Sequence, residues 1–287
     1  MMKRFLIQIL KKFIDRFSIL AFLTRYLRDS RMLSKKPVQT PLGFKFIGNE
    51  GMQNGTFEPV ETELALKLIQ ASDTLINIGA NIGYYCCIGL QHEKHVVAFE
   101  PVPLNIQYLI RNIKANGWES RIDIFPLALS DSRGVVEIFG VGTGASLIKG
   151  WAGTSEKLST LVPTSTLERM IGDRFPSQKL FFIVDIEGAE KMMLEGARSF
   201  ITREPKPVWM IEISIGEHQP RGITINPDLR STFDLFWDEG YEAWTADREC
   251  REVLPMEIDK IVESGIDTLG THNFLFIERG QKAGLLG

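Results

Sequence analysis

Cysteine is scarce: only Cys86, Cys87 and Cys250 occur in 287 residues. Two are adjacent and the third is remote, so neither an even disulfide framework nor a CxxC pair for metal or redox work can be built. A reducing, cytoplasmic compartment is the expectation. Long hydrophobic runs are missing as well. The first apolar stretch, residues 5–10, is cut off by Lys11 and Lys12 and no small-residue cleavage site follows, which argues against a secretory signal. The longest uncharged stretch nearby, residues 17–24, falls far short of the roughly 20 apolar residues a spanning helix needs. Repeats are absent too, which removes fibrous and solenoid architectures.

What is present is a 44% hydrophobic chain, long enough to bury one large core without staples. Its net charge of -3 conceals an asymmetry. Residues 1–36 carry ten basic side chains (Lys3, Arg4, Lys11, Lys12, Arg16, Arg25, Arg28, Arg31, Lys35, Lys36) against Asp15 and Asp29, so the remainder carries a net of -11. An acidic body of this kind does not suit a nucleic-acid partner. Within the basic arm, Leu6, Leu10, Phe13, Phe17, Leu20, Leu23 and Leu27 recur at spacings of three and four, the period of an amphipathic helix. The spacing predicts a basic amphipathic N-terminal helix and linker over residues 1–41, followed by a main domain over 42–287. Residues 1–30 are expected to lie against an anionic membrane surface peripherally, or to pack on the domain or a partner subunit.

After residue 73 apolar strands alternate with helical patterns, which predicts a doubly wound, mostly parallel α/β sheet. Strands are expected at 74–78, 95–99, 121–129, 180–184 and 208–213, with closing strands at 241–245 and 273–277 whose order is open. A strand at 134–139 reads as an edge, and residues 140–159, rich in Gly, Ser and Thr, as a loop over the site. Helices are expected at 58–71, 84–90, 104–116, 189–200 and 228–239.

The chemistry concentrates where strands end. Asn77-Ile78-Gly79-Ala80-Asn81-Ile82-Gly83 is a glycine-rich turn between a buried strand and a helix, where the backbone can approach a ligand closely. Its Gly-x-Asn-x-Gly spacing differs from the Gly-x-Gly-x-x-Gly of dinucleotide binders and suits an uncharged amino-acid and nucleoside ligand. Glu100 ends the next strand, 17 residues beyond Gly83, where a carboxylate can accept both ribose hydroxyls.

These residues, with Phe99-Glu100-Pro101 and Asp185-Ile186-Glu187-Gly188-Ala189-Glu190, resemble the FkbM family of methyltransferases over about residues 55–215. Leu127-Ala128-Leu129-Ser130-Asp131 and Gly144-Ala145-Ser146-Leu147 resemble family segments too. The resemblance implies a class I, Rossmann-like methyltransferase domain. It implies S-adenosylmethionine as donor, held by Asn77, Gly79, Ala80, Asn81, Gly83, Glu100, Pro101 and Ser130. It further implies a hydroxyl acceptor on a sugar, glycan, lipid or natural product. Three positions depart from the family pattern: Asn77 replaces an Asp, Val184 a Lys and Glu168 an Asp. Asn77 keeps an acceptor oxygen but loses a charge that would favour the donor's ammonium.

Asp185 and Glu187 follow the fourth core strand, at the edge where open parallel sheets bind ligands. Two neighbouring acids can raise one pKa and create a general base for an acceptor hydroxyl. Alternatively Asp185 only orients donor or substrate and Glu187 caps the next helix. His218 is a second base candidate, and a solvated loop residue otherwise. No metal is expected, because no loop supplies the several oxygens a hard cation requires. Cys86 and Cys87 are expected to pack rather than react, and Trp151 to be core, rim or a platform for the acceptor. Two other classes stay in view. A nicotinamide-dependent sugar oxidoreductase would share Glu100 but lacks its glycine fingerprint and a Tyr-x-x-x-Lys pair. A non-catalytic adenosine-ligand module would tolerate the departures at Asn77 and Val184.

Overall fold

A computed structural model describes residues 35–140, 142–155, 157 and 159–286. The amphipathic helix expected over residues 6–27, and with it the membrane contact, lies outside the described residues. No helix among the described residues is long and apolar enough to cross a membrane.

The chain begins with a two-stranded ribbon, β1 (Val38–Gln39) and β2 (Lys45–Phe46), then α1 (Glu50–Asn54) and α2 (Pro59–Ala71). There follow β3 (Thr74–Ile78), α3 (Tyr84–Gln91), β4 (His95–Phe99), α4 (Pro103–Lys114) and β5 (Ile122–Phe125). A side sheet comes next: β6 (Ala128–Leu129), β7 (Gly134–Phe139) and β8 (Ser159–Ser165). Then come α5 (Leu167–Ile171), β9 (Leu180–Val184), α6 (Glu190–Glu195), α7 (Arg198–Thr202) and β10 (Val208–Glu212). The chain closes with α8 (Leu229–Trp237), β11 (Tyr241–Thr245), β12 (Glu252–Val253), α9 (Pro255–Ser264), β13 (Asn273–Glu278) and α10 (Lys282–Leu286).

The eight-stranded sheet runs β12-β11-β13-β10-β9-β3-β4-β5. The five strands from β10 to β5 are parallel, and β13 is inserted antiparallel between β10 and β11. This is the doubly wound α/β architecture expected from the alternation. Strand β3 is buried along its whole length, as its uniformly apolar neighbours require. Its alternate residues feed two cores. Ile76 and Ile78 meet the layer of α5 to α9 through Phe182, Trp209, Phe233 and Phe236. Leu75 meets the layer of α2 to α4 together with Phe181, Met210, Leu68 and Leu109. Trp209 lies flat on Phe182 with ring centroids 3.8 Å apart, and Phe236 on Phe276 at 4.0 Å.

Several elements differ from the sequence reading. The strand expected over 121–129 is two strands in different sheets, because Pro126 has no N–H to continue the ladder and the chain turns there. Loop 140–159 ends at β8, which pairs with both β6 and β7; its Ser-Thr-Leu-Val-Pro-Thr-Ser composition hides a strand. The helix expected over 189–200 is broken at Gly196 into α6 and α7. Strand β12 and helix α9 had no counterpart in the reading.

One buried side chain ties the ribbon to the glycine turn. Asn112 on α4 is fully buried. Its Oδ1 accepts from the Ile47 N–H at 2.7 Å, and its Nδ2 donates to the Ile47 and Ile82 carbonyls at 3.1 and 2.9 Å. Asn112→Ala would strand three backbone groups, and buried unpaired groups cost about 1–3 kcal/mol each. Chemical denaturation should show a loss of at least about 2 kcal/mol; an unchanged midpoint would mean that water replaces the amide.

Candidate active site

The chain order reverses between β3 and β9, and the loops that leave these two strands separate there, opening the crevice in which open α/β sheets bind ligands. Gly79 leaves β3 with φ +78°, and a Cβ on it would come within 1.8 Å of the Asp185 carbonyl oxygen. Only glycine lets the two strand ends approach this closely. The Gly79 and Ala80 N–H groups both donate to the Phe99 carbonyl at 2.9 Å, fixing the turn on the end of β4.

A narrow crevice opens at this point. Gly79, Asn81, Glu100, Pro101, Asp185 and Glu187 line it, with apolar walls from Ile78, Phe99, Leu129 and Ile138. Sequence reasoning had named the six polar-site residues. Glu100 is only 3% exposed, and three donors hold its carboxylate: the Asn81 N–H at 2.7 Å, the Val102 N–H at 2.8 Å and Asn105 Nδ2 at 3.2 Å. Burial raises its pKa, and those three hydrogen bonds pull against the rise. The Asn81 side-chain oxygen is buried and has no partner among the described residues.

The other expected binding residues stand behind the wall. Asn77 is buried, its Nδ2 3.4 Å from the Ile183 carbonyl and its Oδ1 accepting from the Cys86 thiol at 3.3 Å. Ala80 and Gly83 shape the turn without lining the cavity, Gly83 packing against Leu109. Ser130 turns its hydroxyl to Asp131 at 3.3 Å, although Ala128 and Leu129 before it line the cavity.

Asp185 and Glu212 lie side by side where β9 and β10 end, one step past the Val184 and Ile211 pair in the parallel register. Strand alternation points both to the α2–α4 side. Asp185 is exposed to a cleft that is itself sunk in protein, and the loss of bulk water, then the charges of Glu212, Glu187, Glu58 and Glu190, hold its pKa well above the usual carboxylate range. Asp185 makes no side-chain hydrogen bond or ion pair among the described residues. Burial followed by the charges of Glu187, Glu190, Glu58 and Glu217 pushes Glu212 up to about 8. Glu190 is pushed to about 7, chiefly by burial, while accepting from the Gly188 N–H at 2.9 Å. Glu58 accepts from the Tyr85 hydroxyl at 2.9 Å, and burial raises it as well. Glu58, Asn105 and Glu212 were not singled out in the sequence; only the position of Glu212 at the end of a buried strand could have marked it.

Glu187 is not on the strand. It sits in the turn after β9 with φ +56°, and Trp151 Nε1 donates to its carboxylate at 2.7 Å. Trp151 is 2% exposed and so is neither rim nor platform. His218 is exposed outside the cavity, its ring 6.1 Å from that of Trp151 and its carbonyl accepting from the Ala152 N–H at 2.7 Å. Glu187, Ala152 and His218 all have positive φ, a conformation that costs a non-glycine residue about 1–3 kcal/mol.

A glycine turn, a strand-end acid and further carboxyl groups thus gather around one crevice at the switch point of the sheet. The chain belongs to the FkbM methyltransferase family, its residues 77–243 matching the Methyltransferase FkbM domain. It is similar to methyltransferase FkbM from Methylobacillus flagellatus KT at 20% identity and a TM-score of 0.43, over 72% of this chain and 44% of that one. The chain therefore spans less than half the length of that protein. It is similar to the O-methyltransferase from Bacillus cereus in complex with SAH at 12% identity and a TM-score of 0.44, over 76% and 79% of the two chains. Cofactor-bound Rv0187 from MTB is similar at 11% identity and a TM-score of 0.44, over 94% and 96%. No curated protein matches.

The raised carboxyls make stability depend on pH. Between the ordinary value of 4.5 and about 7 for Glu190 or about 8 for Glu212, the native state holds protons that the unfolded chain has released. Their contribution is complete below pH 4.5 and is lost as pH rises through the raised values. Thermal unfolding from pH 5 to 9 should show stability falling, with a shallower fall in Glu212→Gln; equal slopes would remove Glu212 from the linkage.

Proposed function

We propose that the chain transfers a methyl group from S-adenosylmethionine to a hydroxyl oxygen of a sugar, glycan, lipid or natural-product acceptor. The observation that carries this reading is the polar inventory of one cavity: Glu100, the partnerless Asn81 oxygen and the uncompensated Asp185 face the same space. These residues fit the donor. Glu100 already accepts three hydrogen bonds and retains one lone pair for a ribose hydroxyl, Asn81 offers an acceptor, and the carboxyl groups suit a ligand carrying an ammonium and a sulfonium.

When bound, the donor supplies an electrophilic methyl on a sulfonium, which departs as a thioether. Asp185 lies at the crevice beside the glycine turn and takes the hydroxyl proton as the oxygen attacks the methyl. Transfer of the methyl to the oxygen would release one proton, which the Asp185 carboxylate would hold as a neutral acid until it passes to solvent. Burial, and then the charges of Glu212, Glu187 and Glu58, raise the basicity of the group that must accept it.

Titration of the purified protein with S-adenosylhomocysteine should show binding, and titration with NAD none. Glu100→Ala should lose about 1.5–3 kcal/mol, the worth of hydrogen bonds to a charged group, and so weaken donor affinity tenfold or more. Unchanged affinity in a folded variant would take Glu100 out of the site. Asp185→Asn should lower single-turnover rates by about 10²–10⁴-fold. Wild-type activity should rise with pH as Asp185 deprotonates, and the variant should lack that limb; turnover within about twofold of wild type at every pH would eliminate Asp185 as the base.

A further inference from the structure

One wall of the cavity comes from the segment that was expected to be a loop: Gly142, Ala145 and Leu147 face the same space as Gly79 and Glu100. The bridge between Phe139 and Ser146 and the bond from Asn105 Nδ2 to the Gly142 carbonyl at 3.3 Å anchor the start of this wall, while the contacts of the Ser146 and Trp151 side chains converge on residues 187 and 188. The Ser146 hydroxyl donates to the Glu187 carbonyl at 2.5 Å while accepting from the Ile148 N–H at 2.8 Å. Trp151 Nε1 donates to the Glu187 carboxylate at 2.7 Å. The Trp151 ring lies on the backbone of Gly188, where an added Cβ would stand 2.5 Å from a ring carbon. Opposite, Ala152 hangs from the His218 carbonyl.

We propose that Trp151 is a positioning residue that latches the wall of residues 142–155 to Glu187 across the donor site, and that the latch opens to load and release the donor. This rests on the reading of the cavity as a donor site. Three features support it beyond the contact itself. The indole bond ends on a carboxylate that lines the cavity, so closing the wall and placing Glu187 are one event. The ring needs glycine at 188, whose φ of +98° and missing Cβ leave a seat shaped for it. The three residues joined by the latch, Ala152, Glu187 and His218, each hold a positive φ; such strain persists only where surrounding contacts over-determine it, and it favours release when one contact is broken. Glu187 is thereby committed to the wall, which leaves Asp185 as the acid free to meet the acceptor.

The test uses the full-length chain and S-adenosylhomocysteine as probe, with dissociation followed by surface plasmon resonance. Trp151→Phe keeps most of the ring in its seat and removes the N–H. Its dissociation rate should rise roughly tenfold or more, while the thermal midpoint moves little. Glu187→Gln retains an acceptor oxygen for the indole and should release the probe more slowly than Glu187→Ala; release as fast as that of Glu187→Ala would mean that the carboxylate meets the donor directly and would overturn the latch. Glu187→Ala should resemble Trp151→Phe, and this pair answers the question even if Trp151→Phe does not fold. Equal release by wild type, Trp151→Phe and Glu187→Ala would overturn the latch alone. Absence of binding by the wild-type chain would overturn the donor reading and the latch with it.

Discussion

The parallel pairing of β3 with β9 is the constraint on which the site depends. Thr74 faces Leu180 and Ile78 faces Val184 in unbroken register, and the Asp185 N–H extends the ladder onto the Ile78 carbonyl at 3.0 Å. A shift of one residue would turn every side chain of β9 to the opposite face, burying Asp185 among the residues that pack on α5 to α9. The close approach of Gly79 to the Asp185 carbonyl allows no such shift. Two segments about a hundred residues apart in the chain are thus held in contact by backbone alone, and the glycine turn, Glu100 and Asp185 meet without needing any side chain to steer them.

This explains which parts of the site were legible in the sequence. Gly79, Glu100 and Asp185 stand at strand ends, and an apolar run followed by a glycine or an acid marks such a position directly. The same logic served β4, β9 and β10, each built on a continuous apolar run of the kind that both-faced burial demands. The roles of Asn77 and Glu187 were less accessible. Asn77 belongs to the motif by spacing, yet strand alternation turns its side chain toward Ile183 and Cys86. Glu187 was read with Asp185 as one of two neighbouring acids, yet it stands in the turn after β9 with a positive φ and is held by Trp151. Trp151, Asn105 and Glu58 carry no local signature, because what gives each its part is a partner between 5 and 36 residues away. Strand β8 was hidden for another reason: its hydroxyl-rich composition and Pro163 read as loop, and only pairing on both sides makes it a strand.

Electrostatically the site is built to be incomplete. Five carboxylates, those of Glu58, Asp185, Glu187, Glu190 and Glu212, surround the crevice, and none is ion-paired with Lys or Arg among the described residues. Elsewhere the protein neutralises its acids conventionally, as Arg230 does for Asp234 and Asp259, at 3.0 and 2.8 Å. The contrast separates charge kept for stability from charge kept for binding. Burial and mutual repulsion make Glu58, Asp185, Glu190 and Glu212 hold protons to higher pH than ordinary carboxyl groups do. A cationic ligand would displace them.

The sheet order also has a bearing on how the chain is made. Strand β10 lies at the middle of the sheet, but its second neighbour is β13, nearly seventy residues later, and β11 reaches the sheet only through β13. Until residue 278 has left the ribosome, the Val-Trp-Met-Ile-Glu edge of β10 is an unpaired apolar strand. Such edges recruit other chains, and sequential synthesis prolongs their exposure. The last strand therefore acts as the keystone of biogenesis, and the early helices, which cover the other end of the sheet, must hold a half-built domain together while it arrives.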